Sequence, residues 1–147
     1  MTVDEMMEAA RKGTLPPDFK DWETRNSNGL SVAHMAVIWR RLPEGFDRWE
    51  IALNTGCSVA HEAAVFGDLP ESFSRWDIAD EDGWTVAHVA ARYGTLPAGF
   101  DRWDIADNEG FTVAHSASQH GKLPAGFDRW DLTDMHGRTV RDVMQED

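Results

Sequence analysis

The chain has 147 residues, 41% of them hydrophobic and 27% charged, and its net charge of −12 disfavours nucleic acid backbones and anionic membranes as partners. No apolar run approaches the roughly 18 residues of a membrane span, and the acidic start lacks the basic segment of a secretory signal. Cys57 is the one cysteine, so an intrachain disulfide is excluded and a cytoplasmic location is expected.

The first 28 residues predict an N-terminal cap. A charged helix is expected from Asp4 to Lys12, followed by a segment that begins at Leu15-Pro16 and runs to Trp22. This segment lacks the Gly-x-Ser/Thr-Val-Ala-His sequence that recurs in the rest of the chain, as expected for the end of a repeat array.

A 27-residue repeat follows the cap. Glycines recur at Gly29, Gly56, Gly83, Gly110 and Gly137. Tryptophans recur at Trp22, Trp49, Trp76, Trp103 and Trp130. A fixed period of this size is typical of stacked repeat proteins, and one domain over residues 1–147 is expected. Full repeats are predicted at 29–55, 56–82, 83–109 and 110–136, with a cap at 137–147.

Each repeat predicts two helices and a turn. In the repeat that begins at Gly83, Thr85 is the expected N-cap of a first helix, and Val86, Val89, Ala90 and Tyr93 form its apolar stripe. Gly94 is expected to end it in the left-handed conformation. Leu96, Phe100 and Trp103 share one face of a predicted second helix of about two turns, too short to be stable alone.

The segment from Gly83 to Ala91 resembles the ankyrin signature Gly-x-Thr-Pro-Leu-His-x-Ala-Ala, and the acidic turn before Gly83 is similar to the ankyrin turn. The resemblance implies an all-α fold, an ankyrin-like helix-turn-helix solenoid. Its second helix is shortened, because the period is 27 where ankyrin has about 33. It also implies that the histidine of the motif is structural and bonds its own Thr and nearby turn backbone.

The residues give little sign of chemistry. The motif histidines occupy equivalent positions in successive repeats, about 8–10 Å apart for packed helices, which is too far for one metal ion. They are His34, His61, His88 and His115. No phosphate loop, nucleophile elbow or zinc spacing is present. No enzymatic activity, cofactor or metal is therefore expected.

The positions at which the repeats differ are the candidate binding residues. After each repeat glycine stands Leu30, Cys57, Trp84, Phe111 or Arg138, and three of these five are large and apolar. The alternative is that they cover the core between repeats. The residues after each motif histidine also vary: Met35, Glu62, Val89 and Ser116.

A second difference lies at the end of the first helix. Trp39-Arg40-Arg41 stands where three other repeats have a glycine, which predicts either a local recognition patch or a relaxed helix end. A non-glycine residue kept in the left-handed conformation costs around 1 kcal/mol.

These patterns predict a protein-interaction module whose partner is another protein, with a basic surface as one option. A second hypothesis is an acidic decoy, of the kind carried by phages or mobile elements, that inhibits a nucleic-acid-binding protein. Its basis is a ridge of carboxylates that recurs with the repeat at Glu50, Asp77, Asp104 and Asp131. The sequence leaves open the partner, a bacterial or phage origin, and the oligomeric state.

Overall fold

A computed structural model describes residues 1–145, and its regular structure is entirely helical. The α-helices are α1 (Val3–Lys12), α2 (Val32–Ile38), α3 (Val59–Phe66), α4 (Val86–Tyr93) and α5 (Val113–Gln119), and a 3-10 segment spans Asp142–Gln145. Within the described residues, backbone pairing outside helices is limited to isolated antiparallel bridges, such as Ala79 with Thr85. The all-α prediction is therefore confirmed. Residues 146 and 147 of the predicted C-terminal cap lie outside the described residues.

The chain divides into two compact units, Met1–Ala63 and Ala64–Asp147, here called unit 1 and unit 2. In unit 1, α1 packs on α2. In unit 2, α4 packs on α5, and α5 packs on the 3-10 segment. The contacting faces are fully buried valines and alanines, whose small side chains let the helices approach closely. No helix within residues 1–145 has the length and apolar character needed to cross a membrane.

The first helix of the repeat at 83–109 begins and ends as predicted. The hydroxyl of Thr85 accepts from the backbone N–H of His88 (3.3 Å), which caps α4. Gly94 then ends the helix in the left-handed conformation with φ 73°. Tyr93 departs from the predicted apolar stripe. It is the last residue of α4, and its side chain is 47% exposed because it lies beyond the face that packs on the neighbouring helix.

The predicted second helix is wrong. Residues 97–105 form two successive turns, closed by single bonds from Phe100 N–H to the Pro97 carbonyl (3.2 Å) and from Ile105 N–H to the Arg102 carbonyl (3.4 Å). Gly99, at φ 82°, has a backbone conformation that a right-handed helix excludes. The spacing of Leu96, Phe100 and Trp103 therefore reflects turns that bury aromatic rings.

Carbonyl groups of these turns accept hydrogen bonds from the first N–H groups of the helix that follows them. The carbonyls of Ile78 and Trp76 accept from the N–H groups of Val86 (3.0 Å) and Ala87 (3.2 Å), two donors that have no partner inside α4. If residues 69–76 formed a helix, the Trp76 carbonyl would point along its own helix axis. The extended path through the turns is therefore what joins each turn segment to the next α-helix.

Edge-to-face aromatic rings line the turns in both units. In unit 1, Phe19, Trp22, Phe46 and Trp49 follow one another with ring centroids 4.9–5.1 Å apart. In unit 2 the run from Phe73 to Trp130 has the same geometry at 4.9–5.4 Å. Such pairs contribute about 0.5–1.5 kcal/mol each beyond the area they bury, so they can hold segments that lack helical hydrogen bonds.

Candidate functional site

The loops before α4, α5 and the 3-10 segment are tight turns, and the side chain of the first residue of each turn accepts hydrogen bonds from its backbone. In unit 2, Asp80 N–H donates to the carbonyl of Trp84 (3.0 Å), and Asp80 Oδ1 accepts from the N–H groups of Asp82 and Trp84 (2.9 and 3.0 Å). Asp107 and Asp134 make the same pairs of bonds in the next two turns. Six backbone donors are thus satisfied by three carboxylates, which fixes the backbone that carries the variable residue of each repeat.

The motif histidine joins one repeat to the next. Nδ1 of His88 lies 2.8 Å from the Thr85 hydroxyl and 3.2 Å from the Thr85 backbone N–H, while Nε2 lies 2.7 Å from the carbonyl of Phe111. A carbonyl can only accept, so Nε2 carries the proton, Nδ1 accepts, and the ring is neutral. The Phe111 carbonyl belongs to the following repeat, so each such bond connects two repeats.

His34 and His115 make the same bond, to the carbonyls of Cys57 (3.1 Å) and Arg138 (2.8 Å). The prediction that these histidines are structural is confirmed. Burial is the main reason that the pKa values of His34 and His88 lie below the ordinary value, since it penalises the charged imidazolium. Over residues 1–145, no three His, Cys, Asp or Glu side chains are arranged to hold a metal ion.

Asp142 takes the place of the histidine in the last repeat. Its Oδ2 accepts from the Thr139 N–H (2.9 Å), and its own N–H donates to the Thr139 hydroxyl (3.1 Å), which reproduces the capping half of the histidine's role. These hydrogen bonds from Thr139 lower the pKa of Asp142. A carboxylate has no donor with which to reach a further carbonyl, so only the capping function is kept.

The variable residues after each glycine form a stacked row in unit 2. The rings of Trp84 and Phe111 are stacked with centroids 6.1 Å apart, and Trp84 also lies 4.5 Å from the ring of His88. Arg138 places its guanidinium 5.8 Å from the centroid of Phe111 and donates to Asp134 Oδ2 (2.7 Å). Aromatic and cationic side chains therefore cover the buried histidines on this side of the unit.

Burial divides the predicted binding residues of unit 2. Trp84 is half-buried and keeps part of its ring at the surface. Phe111 is only 9% exposed, and Val89 is equally buried. Ser116 is fully buried, and its hydroxyl donates to the His88 carbonyl (3.0 Å). Ser116 is too deeply buried to contact a partner, and Val89 and Phe111 expose very little surface for such a contact. These side chains fill the space between α4 and its neighbours.

In unit 1 the corresponding residues carry no aromatic ring. Leu30, Met35, Cys57 and Glu62 are all half-buried. Cys57 lies with its sulfur 3.6 Å from a carboxylate oxygen of Glu62. These four residues border the surface and contribute less ring area than the row in unit 2.

The segment Trp39-Arg40-Arg41 has an exposed and strained geometry. Arg40 has φ 60°, so the left-handed helix end is kept without a glycine. Trp39 is 51% exposed, and the guanidinium of Arg11 lies 5.5 Å from its ring centroid. Arg41 lies with Cδ 3.1 Å from where a Cβ on Gly13 would stand, so its stem packs against the end of α1. The alternative of a relaxed helix end is wrong.

The helix ends hold two further exposed aromatic residues that the sequence analysis did not select, Phe66 and Tyr93. They stand 27 and 54 residues after Trp39, so the repeat period itself was the signal.

An acidic groove of about 520 Å³ lies beside Trp84 in unit 2. We define the turn edge of unit 2 as the residues that line this groove: Asp80, Asp82, Trp84, Asp107, Asn108 and Glu109. The carboxylates of Asp82 and Glu109 are exposed and take part in no ion pair of the described residues. The groove can therefore hold a cationic group close to a tryptophan ring.

The other predicted ridge of carboxylates is partly neutralised. Glu50 pairs with Arg48 (3.0 Å) and Asp131 with Arg129 (3.4 Å), whereas Asp77 and Asp104 are exposed.

No protein-family model matches the chain, and no curated protein matches it.

Proposed function

We propose that the chain is a protein-interaction module, an ankyrin-like solenoid without enzymatic activity or cofactor, and that it binds a basic partner protein at the turn edge of unit 2. The observation that carries this proposal is the acidic groove beside the half-buried ring of Trp84. A lysine or arginine in this groove would meet carboxylates on both sides and an aromatic face, the combination that recognises cationic side chains. In unit 1, Leu30 and Cys57 are proposed at the positions equivalent to Trp84, and Met35 and Glu62 at the positions that follow the motif histidines.

A rigid support favours binding at this edge. Asp80 and Asp107 are held by their own turns, and the histidine bonds fix each turn to the preceding helix. A partner therefore pays little to order the surface, because the loop backbone is already fixed. The ankyrin-like assignment rests on the repeated N-cap, the histidine bond and the tight turn. A cytoplasmic location and a bacterial or phage origin belong to the same proposal.

The test is an affinity pull-down with two charge-reversal variants of equal net charge. Asp82→Lys/Glu109→Lys alters the turn edge, and Asp77→Lys/Asp104→Lys alters exposed carboxylates elsewhere in unit 2. We expect the first variant to lose at least about tenfold of the bound partner and the second to retain it, since like charges across an interface cost several kcal/mol. Thermal unfolding checks that both variants stay folded.

Equal loss in both variants would contradict a site at the turn edge. Loss in the Asp77→Lys/Asp104→Lys variant alone would instead favour the acidic decoy, the second hypothesis, whose exposed carboxylates it removes. Substitution of Phe111 would not test the site, because Phe111 is buried against His115, with ring centroids 5.1 Å apart, and its loss would disturb the fold.

A further inference from the structure

An arginine of the chain itself binds at one turn of unit 2. Arg138 Nε donates to Asp134 Oδ2 (2.7 Å), while the guanidinium lies 5.8 Å from the ring centroid of Phe111. Asp134 Oδ1 meanwhile accepts from the backbone N–H groups of His136 and Arg138, both at 2.9 Å, and these bonds hold the turn. One aspartate can thus fasten its turn with one oxygen and bind a guanidinium with the other.

The two preceding turns of unit 2 have the same aspartate but no arginine. They begin at Asp80 and Asp107, and in each the Oδ1 atom accepts two backbone N–H groups. The residue equivalent to Arg138 is aromatic in both repeats, Trp84 in one and Phe111 in the other. No hydrogen bond or ion pair among the described residues uses Oδ2 of either aspartate. These two oxygens are therefore acceptors without an internal donor.

Burial differs between the aspartates in the same way. The side chain of Asp134, which Arg138 covers, has 0% of its surface exposed, whereas Asp80 and Asp107 are half-buried. Both of these half-buried aspartates line the acidic groove beside Trp84. The groove thus combines an aromatic ring with two carboxylates of the kind that already binds a guanidinium in the next turn.

The turns themselves do not require a charged residue. In unit 1, Asn26 Oδ1 accepts from the N–H groups of Asn28 (3.0 Å) and Leu30 (3.1 Å), so a neutral amide makes the same two bonds. Holding the backbone therefore explains the Oδ1 atoms of Asp80 and Asp107. It does not explain their negative charge or their second oxygen.

We propose that the turn edge of unit 2 recognises an arginine, rather than a lysine, of its partner protein; this inference rests on the binding site proposed above. The guanidinium donates in its own plane to Oδ2 of Asp80 or Asp107 and places its face against the ring of Trp84. Asp82 and Glu109 add negative charge beside it. A lysine ammonium is a compact, strongly hydrated charge without a flat face, so it cannot make both contacts in this way.

Two blocked pentapeptides of equal charge test the preference. Both consist of glycine and serine around one basic residue, arginine in the first and lysine in the second. Each is titrated into the ¹⁵N-labelled protein, and the dissociation constant is obtained from the amide shifts of residues 82, 84 and 107–109. We expect the arginine peptide to bind about fivefold more tightly, because only its cation stacks on the ring.

Equal dissociation constants for the two peptides would overturn the arginine preference and leave the proposed basic partner in place. Absence of shifts at these amides with the arginine peptide would overturn the inference as well. The pull-down with Asp82→Lys/Glu109→Lys tests the site itself, so failure of the site and failure of the preference are distinguishable.

Asp80→Asn/Asp107→Asn tests the second carboxylate oxygens. Asparagine keeps the Oδ1 acceptor, as Asn26 does, so the turns should still form while the charge is lost. We expect the arginine peptide to bind about tenfold more weakly. Asp77→Asn/Asp104→Asn removes the same charge from exposed carboxylates outside the groove and should change the affinity by less than about twofold. A similar loss in both variants would assign the effect to overall charge and contradict the proposal.

Trp84→Leu tests the ring. Leucine already stands at the equivalent position as Leu30, which makes it the matched replacement. We expect the arginine peptide to fall to the affinity of the lysine peptide, which itself should change little because charge alone holds the ammonium. An equal loss for both peptides would show that the ring does not select a guanidinium. Thermal unfolding checks that each variant is folded, and the asparagine variants test the proposal independently of this one.

Discussion

The second turn of unit 1 shares its backbone path with the turns of unit 2 but is held differently. In the first turn of unit 1, Asn26 Oδ1 accepts from the N–H groups of Asn28 (3.0 Å) and Leu30 (3.1 Å), as the aspartates of unit 2 do. In unit 2, Asp80, Asp107 and Asp134 each accept two backbone N–H groups. In unit 1 the second turn begins with Leu53, and its backbone bonds still form, from Leu53 N–H to Cys57 (2.9 Å) and from Gly56 N–H to Leu53 (2.9 Å). The backbone pairing therefore sets the turn, and the carboxylate only strengthens it.

The residues packed over the histidines also differ between the units, and the contacts in unit 2 are again the more extensive. His88 lies under the ring of Trp84, and its Nε2 is 2.7 Å from the next carbonyl. His34 makes the equivalent bond at 3.1 Å, and the residue at its ring position is Leu30. Since both histidines are fully buried, the comparison isolates the contribution of the aromatic cover and the shorter bond. The histidine contacts of unit 2 are therefore expected to contribute more to the free energy of unfolding than those of unit 1.

The largest expected effect comes from removing these histidines. His88→Ala should lower the free energy of unfolding by about 3 kcal/mol, since it leaves a cavity and an unpaired Phe111 carbonyl. His34→Ala should cost about 2 kcal/mol, because it loses a longer bond and no ring stack. Urea denaturation measures both, and the exposed His120→Ala is the control. Equal losses for His34 and His88 would break the comparison.

Acid should weaken the same bonds. The folded-state pKa values of His34 and His88 lie below that of an unfolded histidine, about 6.5, so the unfolded chain binds protons first as the pH falls. The contribution of both residues is complete above about pH 6.5 and is lost as the pH falls towards their folded pKa values. Each unit of pKa lowering corresponds to about 1.4 kcal/mol.

Urea denaturation between pH 7.5 and 5 measures this loss. In His34→Gln/His88→Gln the slope over the same range should be shallower, because the two histidines whose pKa values are lowered on folding are gone. A slope that is unchanged in the variant would assign the acid sensitivity to other groups. The carboxylates with lowered pKa, such as Asp142, act only below about pH 4 and fall outside this range.

Exchanging the first residues of two turns tests the comparison directly. Asp107→Leu should cost about 1–2 kcal/mol, because the N–H groups of Glu109 and Phe111 lose their acceptor. Leu53→Asp should gain about 0.5–1 kcal/mol by supplying the missing acceptor in unit 1. Thermal unfolding of the two single variants shows whether each substitution lowers or raises the stability as expected. A destabilising Leu53→Asp would show that the turn of unit 1 cannot accommodate the carboxylate.

The smallest expected effect concerns the helix ends. Arg40→Gly should stabilise the protein by about 1 kcal/mol, because glycine adopts φ 60° without strain. Gly94→Ala should destabilise it by a similar amount, since φ is 73° there and a Cβ would stand 3.2 Å from Lys122 Cδ. Guanidinium denaturation of both variants checks the pair. If Arg40→Gly weakens the fold, the arginine contributes more contact energy than its backbone costs.

Not all of the positions at which the repeats vary are exposed to solvent. Trp84 and Trp39 reach solvent, as a binding role requires, whereas Ser116 bonds the His88 carbonyl and Val89 packs inside unit 2. Variation between repeats shows that a position tolerates different side chains. Whether such a side chain points outward depends on how closely the next helix approaches. The sequence of a single repeat does not determine this distance.

Local chemistry determined the first helix of each repeat from the sequence alone. A Ser or Thr cap, a Val-Ala-His run and a glycine at the end are short-range signals, and the structure has helices at these places with the histidine bonded to its cap. The period of 27 identified which positions are equivalent in successive repeats in the same way.

Tertiary structure alone decided the rest. The spacing of Leu96, Phe100 and Trp103 suits a helix as well as it suits two turns, and the turns prevail because aromatic edge-to-face packing and the carbonyl bonds to the next helix exist only in the folded array. Burial of Phe111 and exposure of the Tyr93 ring likewise depend on contacts between repeats. Sequence periodicity specifies which residues are equivalent, whereas long-range packing specifies which of them face solvent.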